Sequence, residues 1–434
     1  MKLHGTKIPH NKNTADKAPV ALPMPAEVVI PMSMHIGRPA KPVVKRGDEV
    51  RVGTLIGEAD GFISAPVHSS VSGKVLRLED IRMSSGAFVT AVVIEPDGNQ
   101  TPDENIKPPE VTDFESFVDA VRESGAVGLG GAGFPSFVKL SVRDLSAVEV
   151  VVINAAECEP YITSDTRTML DKTEYIFKGI DALKKYMGVK KFVIGIEDNK
   201  GQCVRRLNEF CSKTEGVETY VVSSVYPQGG EKVLVYNTTG RVIPQGGLPL
   251  DAGVIVINVT TLAFVGEYLE TGVPLVSKVV TVDGTAVSEP KNVIAPIGTP
   301  IKDLLSFCKA EEPSKILYGG PMMGIAVPSA DAPVLKMTNA VVAMDEKEAT
   351  PPKTTPCINC GRCLTHCPLR LDPRAISRAY KLKSGEDLES LCVDLCMECG
   401  CCSYVCPAKR PLVQTNKLAK AALRDYKSKK EDKK

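Results

Sequence analysis

The chain has 434 residues, 43% of them hydrophobic, and a formal net charge of +1 at pH 7. Near-balanced charge with no basic stripe of interleaved aromatics excludes nucleic acid as a partner, and no apolar run approaches the roughly 18 residues that cross a bilayer. The length suits about three domains. With 14 Cys and no apolar leader in residues 1–13, a reducing, cytoplasmic setting is expected rather than export.

Residues 1–25 are polar and carry Pro9, Pro19, Pro23 and Pro25, so an extended arm is expected, lying on a partner or on the rest of the chain. Residues 26–100 alternate short apolar runs with turns such as Gly47-Asp48 and Ser72-Gly73, an all-β signature. The phrase P-V-V-K-R-G-D-E-V-R-V-G-T (42–54) resembles the barrel-sandwich of lipoyl and biotinyl domains. Those domains carry a modified Lys at a hairpin tip. The corresponding tip, Ser64–Ser70, has none, so an architectural role is expected here. His35 and His68 are expected in the core or at an interface.

Residues 97–112 read as a polar, Pro-rich linker. From 113 onward, helical and strand patterns alternate. Phe114, Phe117, Val118 and Val121 share one helix face. Val148–Asn154, Lys191–Ile196 and Thr219–Val225 read as buried strands, and Glu174–Met187 and Lys200–Phe210 as helices, the second carrying Cys203 and Cys211 as core thiols. The alternation predicts an α/β domain with a largely parallel sheet over 113–250.

Inside it sits G-L-G-G-A-G-F-P-S-F-V-K (128–139). Gly128-x-Gly130-x-x-Gly133 is a weak fingerprint by itself, because the dinucleotide motif needs a strand before and a helix after, and here a helix precedes. The chemistry still suits a phosphate. Glycines let the backbone approach an anion, a helix starting after Pro135 would aim N–H groups at it, and Lys139 adds charge. The bland alternative is a surface loop with a solvated Lys. Next, Asn154-Ala-Ala-Glu157-Cys158-Glu159-Pro160 lies at the carboxyl end of a strand, where open α/β sheets bind ligands. Two carboxylates beside a glycine loop suit hydrogen bonds to flavin or ribose hydroxyls; a solvated loop is the alternative.

Val254–Val259 reads as strand and Thr261–Leu269 as helix. Within 276–316, V-V-T-V-D-G-T-A-V and P-I-G-T-P-I-K-D-L-L-S-F suggest two strands, a turn and a helix, which fit a small β-grasp module spanning 251–325. Y-G-G-P-M-M-G (318–324) is a turn or an interface, with Met322 and Met323 packing. Residues 344–356 form a charged, Pro-rich linker.

From Cys357 to Pro407 the pattern C-x2-C-x2-C-x3-C-P occurs twice. This is the two-cluster [4Fe–4S] run, in which the fourth Cys of each half ligates the other cluster. Cys357, Cys360, Cys363 and Cys406 are assigned to one cluster, and Cys396, Cys399, Cys402 and Cys367 to the second. Structural zinc is the alternative, but its ligands usually pair as C-x2-C with a gap before the next pair. Cys392, Cys401 and His366 are left as packing or surface residues. Pro411–Asp425 reads as helix and Lys427–Lys434 as a solvated basic tail.

The glycine loop, N-A-A-E-C-E-P (154–160), G-G-E-K (229–232) and N-V-T-T-L (258–262) together resemble the NADH- and FMN-binding flavoprotein subunit of respiratory complex I. The whole order, from H-I-G-R-P-A-K-P-V-V-K-R-G-D (35–48) to the two Cys motifs, resembles more closely the C subunits of Rnf ferredoxin:NAD+ oxidoreductase complexes over nearly the full chain. That resemblance implies noncovalent FMN contacted by Gly128, Gly130, Gly131, Gly133, Lys139, Asn154, Glu157 and Asn258. Phe134, Glu159 and Glu231 would sit near the substrate NAD(H). Against complex I, Leu129 stands for an Arg, Ala156 for an Asp, and Glu231-Lys232 for a Glu pair. The implied partners are membrane subunits, a ferredoxin-like subunit among them, and indirectly ferredoxin. The implied location is peripheral, on the cytoplasmic face of the membrane, with ion transport in partner subunits. A hydride carries two electrons and an iron–sulfur cluster takes one, so a flavin between them matches the two chemistries. The expected architecture is therefore multidomain α/β and α+β: barrel-sandwich (26–100), α/β FMN-binding domain (113–250), β-grasp module (251–325) and two-cluster ferredoxin-like helical domain (350–426). The alternatives are a flavin and iron–sulfur corrinoid (cobalamin) reductase of propanediol-utilisation microcompartments, which is similar in its modules, and a noncatalytic scaffold that only relays electrons.

Overall fold

Short strands of β-branched residues open the chain's first folded unit. A computed structural model describes residues 4–431, so residues 1–3 of the arm and 432–434 of the tail lie outside the described residues. Val28–Pro31, Phe88–Pro96, Gly73–Arg82 and Glu49–Val50 form one antiparallel sheet in that order. Lys41–Pro42, Leu55–Glu58 and Val67–His68 form a second. Their inward residues, Val28, Ile30, Ile56, Val67, Val92 and Ile94, are fully buried, as period-2 alternation requires. Gly73 is obligatory, since a Cβ there would lie 2.0 Å from the Glu95 carbonyl oxygen. The core runs on into Val127, Leu129, Leu275, Ile297 and Leu335, so this barrel-sandwich is built into the molecule. His35 is buried there and His68 partly so, and desolvation lowers their pKa values to about 4 and about 3.

The central sheet has four strands in the order Val217–Val222, Phe192–Glu197, Val150–Ala155 and Val254–Asn258, all parallel. Its inner strands are near-continuous apolar runs because helices cover both faces. Val151 and Ile153 pack against the helix pair Thr173–Met187 and Val259–Thr271. Val150 and Val152 face Leu234 and Val235 of Glu231–Thr239. The helix pair meets through glycines: a Cβ on Gly266 would lie 2.1 Å from the Tyr175 carbonyl oxygen.

The expected boundary at 250 is corrected here. Val254–Asn258 pairs in register with Val150–Asn154, so the fourth strand and its helix belong to the parallel sheet and not to the next module. The helices Ser164–Asp171 and Glu231–Thr239 were not expected. The mixed sheet that follows runs beyond 325, with the order Val20–Ala21, Lys291–Pro296, Ser277–Asp283, Ala340–Met344, Lys315–Tyr318 and Ile325–Ala326. Its first strand comes from the arm, which therefore lies on the rest of the chain.

The C-terminal segment is helical, with Pro373–Lys381, Gly385–Ser390 and Leu412–Glu431 packed on Ile376, Leu388, Ala419 and Leu423. The sequence repeat is also a backbone repeat. Asn359, Gly361 and Arg370 adopt positive φ in the first half, and Glu398, Gly400 and Lys409 do so at matching places in the second. Among the described residues no helix is long and apolar enough to cross a membrane.

Candidate functional site

The glycine loop is closed by its own backbone. Gly128 N–H donates to the Phe134 carbonyl at 2.8 Å, and Gly133 N–H to the Gly128 carbonyl at 3.1 Å. Three neighbours hold it in place. Ile36 of the barrel donates its N–H to the Gly133 carbonyl (2.9 Å), Thr261 Oγ1 accepts from Leu129 N–H (2.9 Å), and the buried Lys278 ammonium donates to the Leu129 carbonyl (2.9 Å). Burial lowers Lys278 to about 8. Gly130, Gly131 and Ala132 are exposed. Gly131, at φ 113°, has nothing within 4 Å of where a Cβ would stand, so the loop presents open backbone.

The loop faces the carboxyl ends of two strands. Asn258 and Asn154 are register partners. Gly130 packs on Asn258 so closely that a Cβ would lie 2.8 Å from its Nδ2. Asn258 caps Val259–Thr271 by accepting from Thr260 N–H and Thr261 N–H, and its Nδ2 donates to Asp165 Oδ2 (2.8 Å). Asn154 Nδ2 donates to the Gly229 carbonyl (2.9 Å). Lys139 donates to Glu231 Oε1 at 3.1 Å and to the Val256 carbonyl at 2.9 Å. The structure thus brings Gly130 to Asn258 and Lys139 to Glu231, with Phe134 partly exposed at the loop's end. Open glycine backbone, two strand-end amides and a paired lysine fit a flavin mononucleotide. The helix after Pro135 contributes less than expected. It is only Ser136–Leu140, and Ser136 N–H is already spent on the Ala126 carbonyl (3.0 Å).

Two expected ligand contacts are corrected. Glu157 is 6% exposed, and its oxygens accept from Asp165 N–H and the Thr166 hydroxyl, both at 2.7 Å. It anchors the helix whose Asp165 reaches Asn258, so it supports the loop one step removed. Burial raises its pKa to about 7. Glu159 is also turned away from the loop. Its carboxylate accepts from Met322 N–H (3.1 Å), Met323 N–H (2.8 Å) and the Tyr226 hydroxyl (3.3 Å), and burial raises its pKa. Lys12 of the arm secures both residues by donating to the carbonyls of Glu157 (2.8 Å), Glu159 (2.7 Å) and Ile162 (2.5 Å). Lys12, Asp165, Tyr226 and Lys278 carried no local sequence signal. Thr261 did carry one, as the third residue of an Asn-capped helix start.

The cysteines line two cavities. One is lined by Cys367, Cys396, Cys399 and Cys402 together with Cys401, the other by Cys357, Cys360, Cys363 and Cys406; Cys401 apart, these are the quartets that the crossed ligation pattern joins. Among the described residues no three His, Cys, Asp or Glu side chains converge on a point for one metal ion. A thiol quartet spread around a cavity fits a cubane, which is wider than a single ion. Amide donors already face sulfur: Leu371 N–H to Cys367 Sγ (3.3 Å) and Asn416 Nδ2–H to Cys396 Sγ (3.5 Å). Such bonds help set a cluster's potential.

One quartet is pressed into the rest of the molecule. The Tyr226 hydroxyl donates to the Cys399 carbonyl at 2.7 Å, Cys401 is buried against the Tyr226 carbonyl, and Met397 packs on Gly230. The other quartet faces out, with Cys357 and Cys360 exposed. Cys392 lies off both cavities, and His366 Nδ1 is taken up by the Arg362 carbonyl (2.9 Å).

Residues 121–267 match the family described as the Nuo51 FMN-binding domain, and residues 2–99 match the RnfC barrel sandwich hybrid domain. The chain is 41% identical over 422 residues to the C subunit of the Na(+)-translocating ferredoxin:NAD(+) oxidoreductase complex of Acetobacterium woodii, covering 96% of this chain and 95% of that one. It is 40% identical over 371 residues to the proton-translocating counterpart of Clostridium ljungdahlii, with 84% and 81% covered. It is 37% identical over 429 residues to the C subunit of the ion-translocating oxidoreductase complex of Rhodobacter capsulatus, with 97% and 82% covered. In fold it is similar to a chain of an NAD+-reducing [NiFe]-hydrogenase, with a TM-score of 0.50 at 18% identity, covering 72% of this chain and 63% of that one.

Proposed function

Since the chain belongs to the family of C subunits of ion-translocating ferredoxin:NAD+ oxidoreductase complexes, we propose that it is the component at which NAD(H) exchanges electrons with the complex. It is an oxidoreductase subunit with an FMN-binding domain. When bound, FMN accepts a hydride from NADH and releases its two electrons one at a time. The chain's residues provide the setting. Gly130 and Gly131 keep side chains out of the flavin's place, Asn154 and Asn258 offer amides at the strand ends, and Lys139 with Glu231 forms an ion pair at the open edge. Phe134 and Glu231 are the groups proposed to meet the nicotinamide nucleotide, while Glu157 and Glu159 act as supports.

Cys367, Cys396, Cys399 and Cys402 would hold one [4Fe–4S] cluster and Cys357, Cys360, Cys363 and Cys406 the second, and each would supply a one-electron carrier, the first beside the flavin domain and the second toward partner subunits, a ferredoxin-like one among them. The observation that carries this order is the hydrogen bond from Tyr226 to the Cys399 carbonyl, which fastens the first quartet beside the flavin domain, while the second has exposed thiols. In this reading the sheet of 277–344 is a β-grasp module, residues 350–426 are a ferredoxin-like domain, and the chain is peripheral on the cytoplasmic face. The named relatives do not favour the corrinoid-reductase alternative.

The test is anaerobic: assay iron, sulfide and FMN, then add NADH and record the visible spectrum. About eight irons, as two [4Fe–4S] clusters require, with one FMN and bleaching by NADH is the expected result. Flavin that NADH does not reduce would refute the nucleotide assignment. Absence of flavin would refute the site at 128–139.

A further inference from the structure

We infer that the face around Cys357 and Cys360 is a docking surface for an acidic electron-carrier protein; this rests on the electron order proposed above. The cavity of the outward quartet is also lined by Arg374, Arg378, Lys381 and Arg410. The first three fall at i, i+4 and i+7 of the helix Pro373–Lys381, so they share one face and turn it toward the quartet. Asp372 takes up Arg374. Among the described residues no carboxylate lies within ion-pair distance of Arg378, Lys381 or Arg410.

The whole chain carries a net charge of only +1, so this concentration of cations is local. Its apolar neighbours are exposed too, Ile358 at 67% and Leu382 at 65%. A small apolar centre, exposed thiols and unpaired cations form a surface that a carboxylate-rich protein would fit, with charge steering the encounter. The inward quartet differs. Its Glu398 is paired with Lys417 and Lys420, and its loop is covered by the flavin domain.

The experiment separates docking from a role confined to balancing the negative charge of a bound cluster. The holoprotein is reduced with dithionite, which bypasses NADH and flavin, so this test stands whatever happens to the nucleotide assignment. Excess reductant is removed, and the protein is mixed in a stopped-flow with one of two one-electron oxidants, an acidic blue-copper protein or basic cytochrome c. Each takes one electron from a reduced cluster, leaving the cluster oxidised and the copper or haem iron reduced. At low salt the acidic oxidant is expected to react about tenfold or more faster than at high salt, with the opposite trend for cytochrome c. Arg378→Glu with Lys381→Glu should invert the preference while the cluster spectrum stays unchanged. Lys381→Glu alone, at an exposed helix end, gives a smaller shift of the same sign and serves if the double variant loses its cluster. Equal changes for both oxidants, or a moved cluster potential with no change in oxidant preference, would overturn the proposal.

Discussion

Tyr226→Phe removes a single oxygen from the junction between the flavin domain and the inward quartet. Tyr226 is 2% exposed, and its hydroxyl lies 2.7 Å from the Cys399 carbonyl and 3.3 Å from Glu159 Oε1. Glu159 keeps its two backbone donors, Met322 and Met323, so the loss falls mainly on Cys399, a buried residue whose carbonyl is left without that donor. An unsatisfied buried acceptor costs about 1–3 kcal/mol. Expressed as local opening, that is about 5- to 150-fold faster amide exchange where the two parts meet. Hydrogen–deuterium exchange read by mass spectrometry reports it. Peptides spanning Cys396–Cys406, and the Thr6–Tyr226 backbone pair, should lose protection. The central strand Val150–Ala155 should keep it. Unchanged exchange at Cys396–Cys406 in a folded variant would refute the idea that this hydroxyl fastens the quartet to the flavin domain.

Cys406→Ser should cost the exposed cluster and spare the inward one, and Cys367→Ser the reverse. Iron should fall by about half in each, with electron paramagnetic resonance showing which signal survives; loss of the same signal from both variants would sink the crossed assignment. Gly130→Val pushes a side chain into Asn258, so FMN released on denaturation should fall to a small fraction of wild type while far-ultraviolet circular dichroism is retained. Lys336 supplies a pH prediction. Its ammonium is buried and donates to the Pro66 and Gly125 carbonyls, and burial lowers its pKa from 10.5 to about 7. Between those values the unfolded chain holds the extra proton, so this residue's contribution to stability rises with pH, and below about 7 its penalty is complete. The difference in melting temperature, wild type minus Lys336→Met, should therefore grow from pH 7 toward pH 10; a constant difference would show that burial does not lower the Lys336 pKa.

Periodicity and spacing carry most of the local structure. The doubled Cys pattern announces a doubled backbone, down to the left-handed residues at matching places. Apolar runs such as Val150–Ile153 are readable as buried parallel strands because both faces are covered. What was not legible depends on contacts between distant residues. A strand followed by a helix at 254–271 looks alike whichever sheet it joins; only the register with Val150–Asn154 assigns it. Glu157 and Glu159, two carboxylates by a glycine loop, suited ligand contacts. Their oxygens go instead to donors on Ser164–Asp171, on the 322–323 turn and on Tyr226. Lys12 sits in a polar arm with no periodicity, yet its ammonium reaches three carbonyls beyond residue 156.

The arm also bears on the order in which the molecule can be completed. His4 meets the Thr365 carbonyl, Thr6 pairs with Tyr226, Lys12 enters the 157–162 turn, and Val20–Ala21 pairs with Val293–Ile294. The arm therefore waits for partners made after it. At translation rates of about 5–20 residues per second, roughly 20–70 s separate the emergence of Thr6 from that of Thr365. During that time the barrel-sandwich and the parallel sheet can close, while the arm has only part of its seat. A bulky fusion ahead of residue 4 would therefore burden the last step of folding rather than the first.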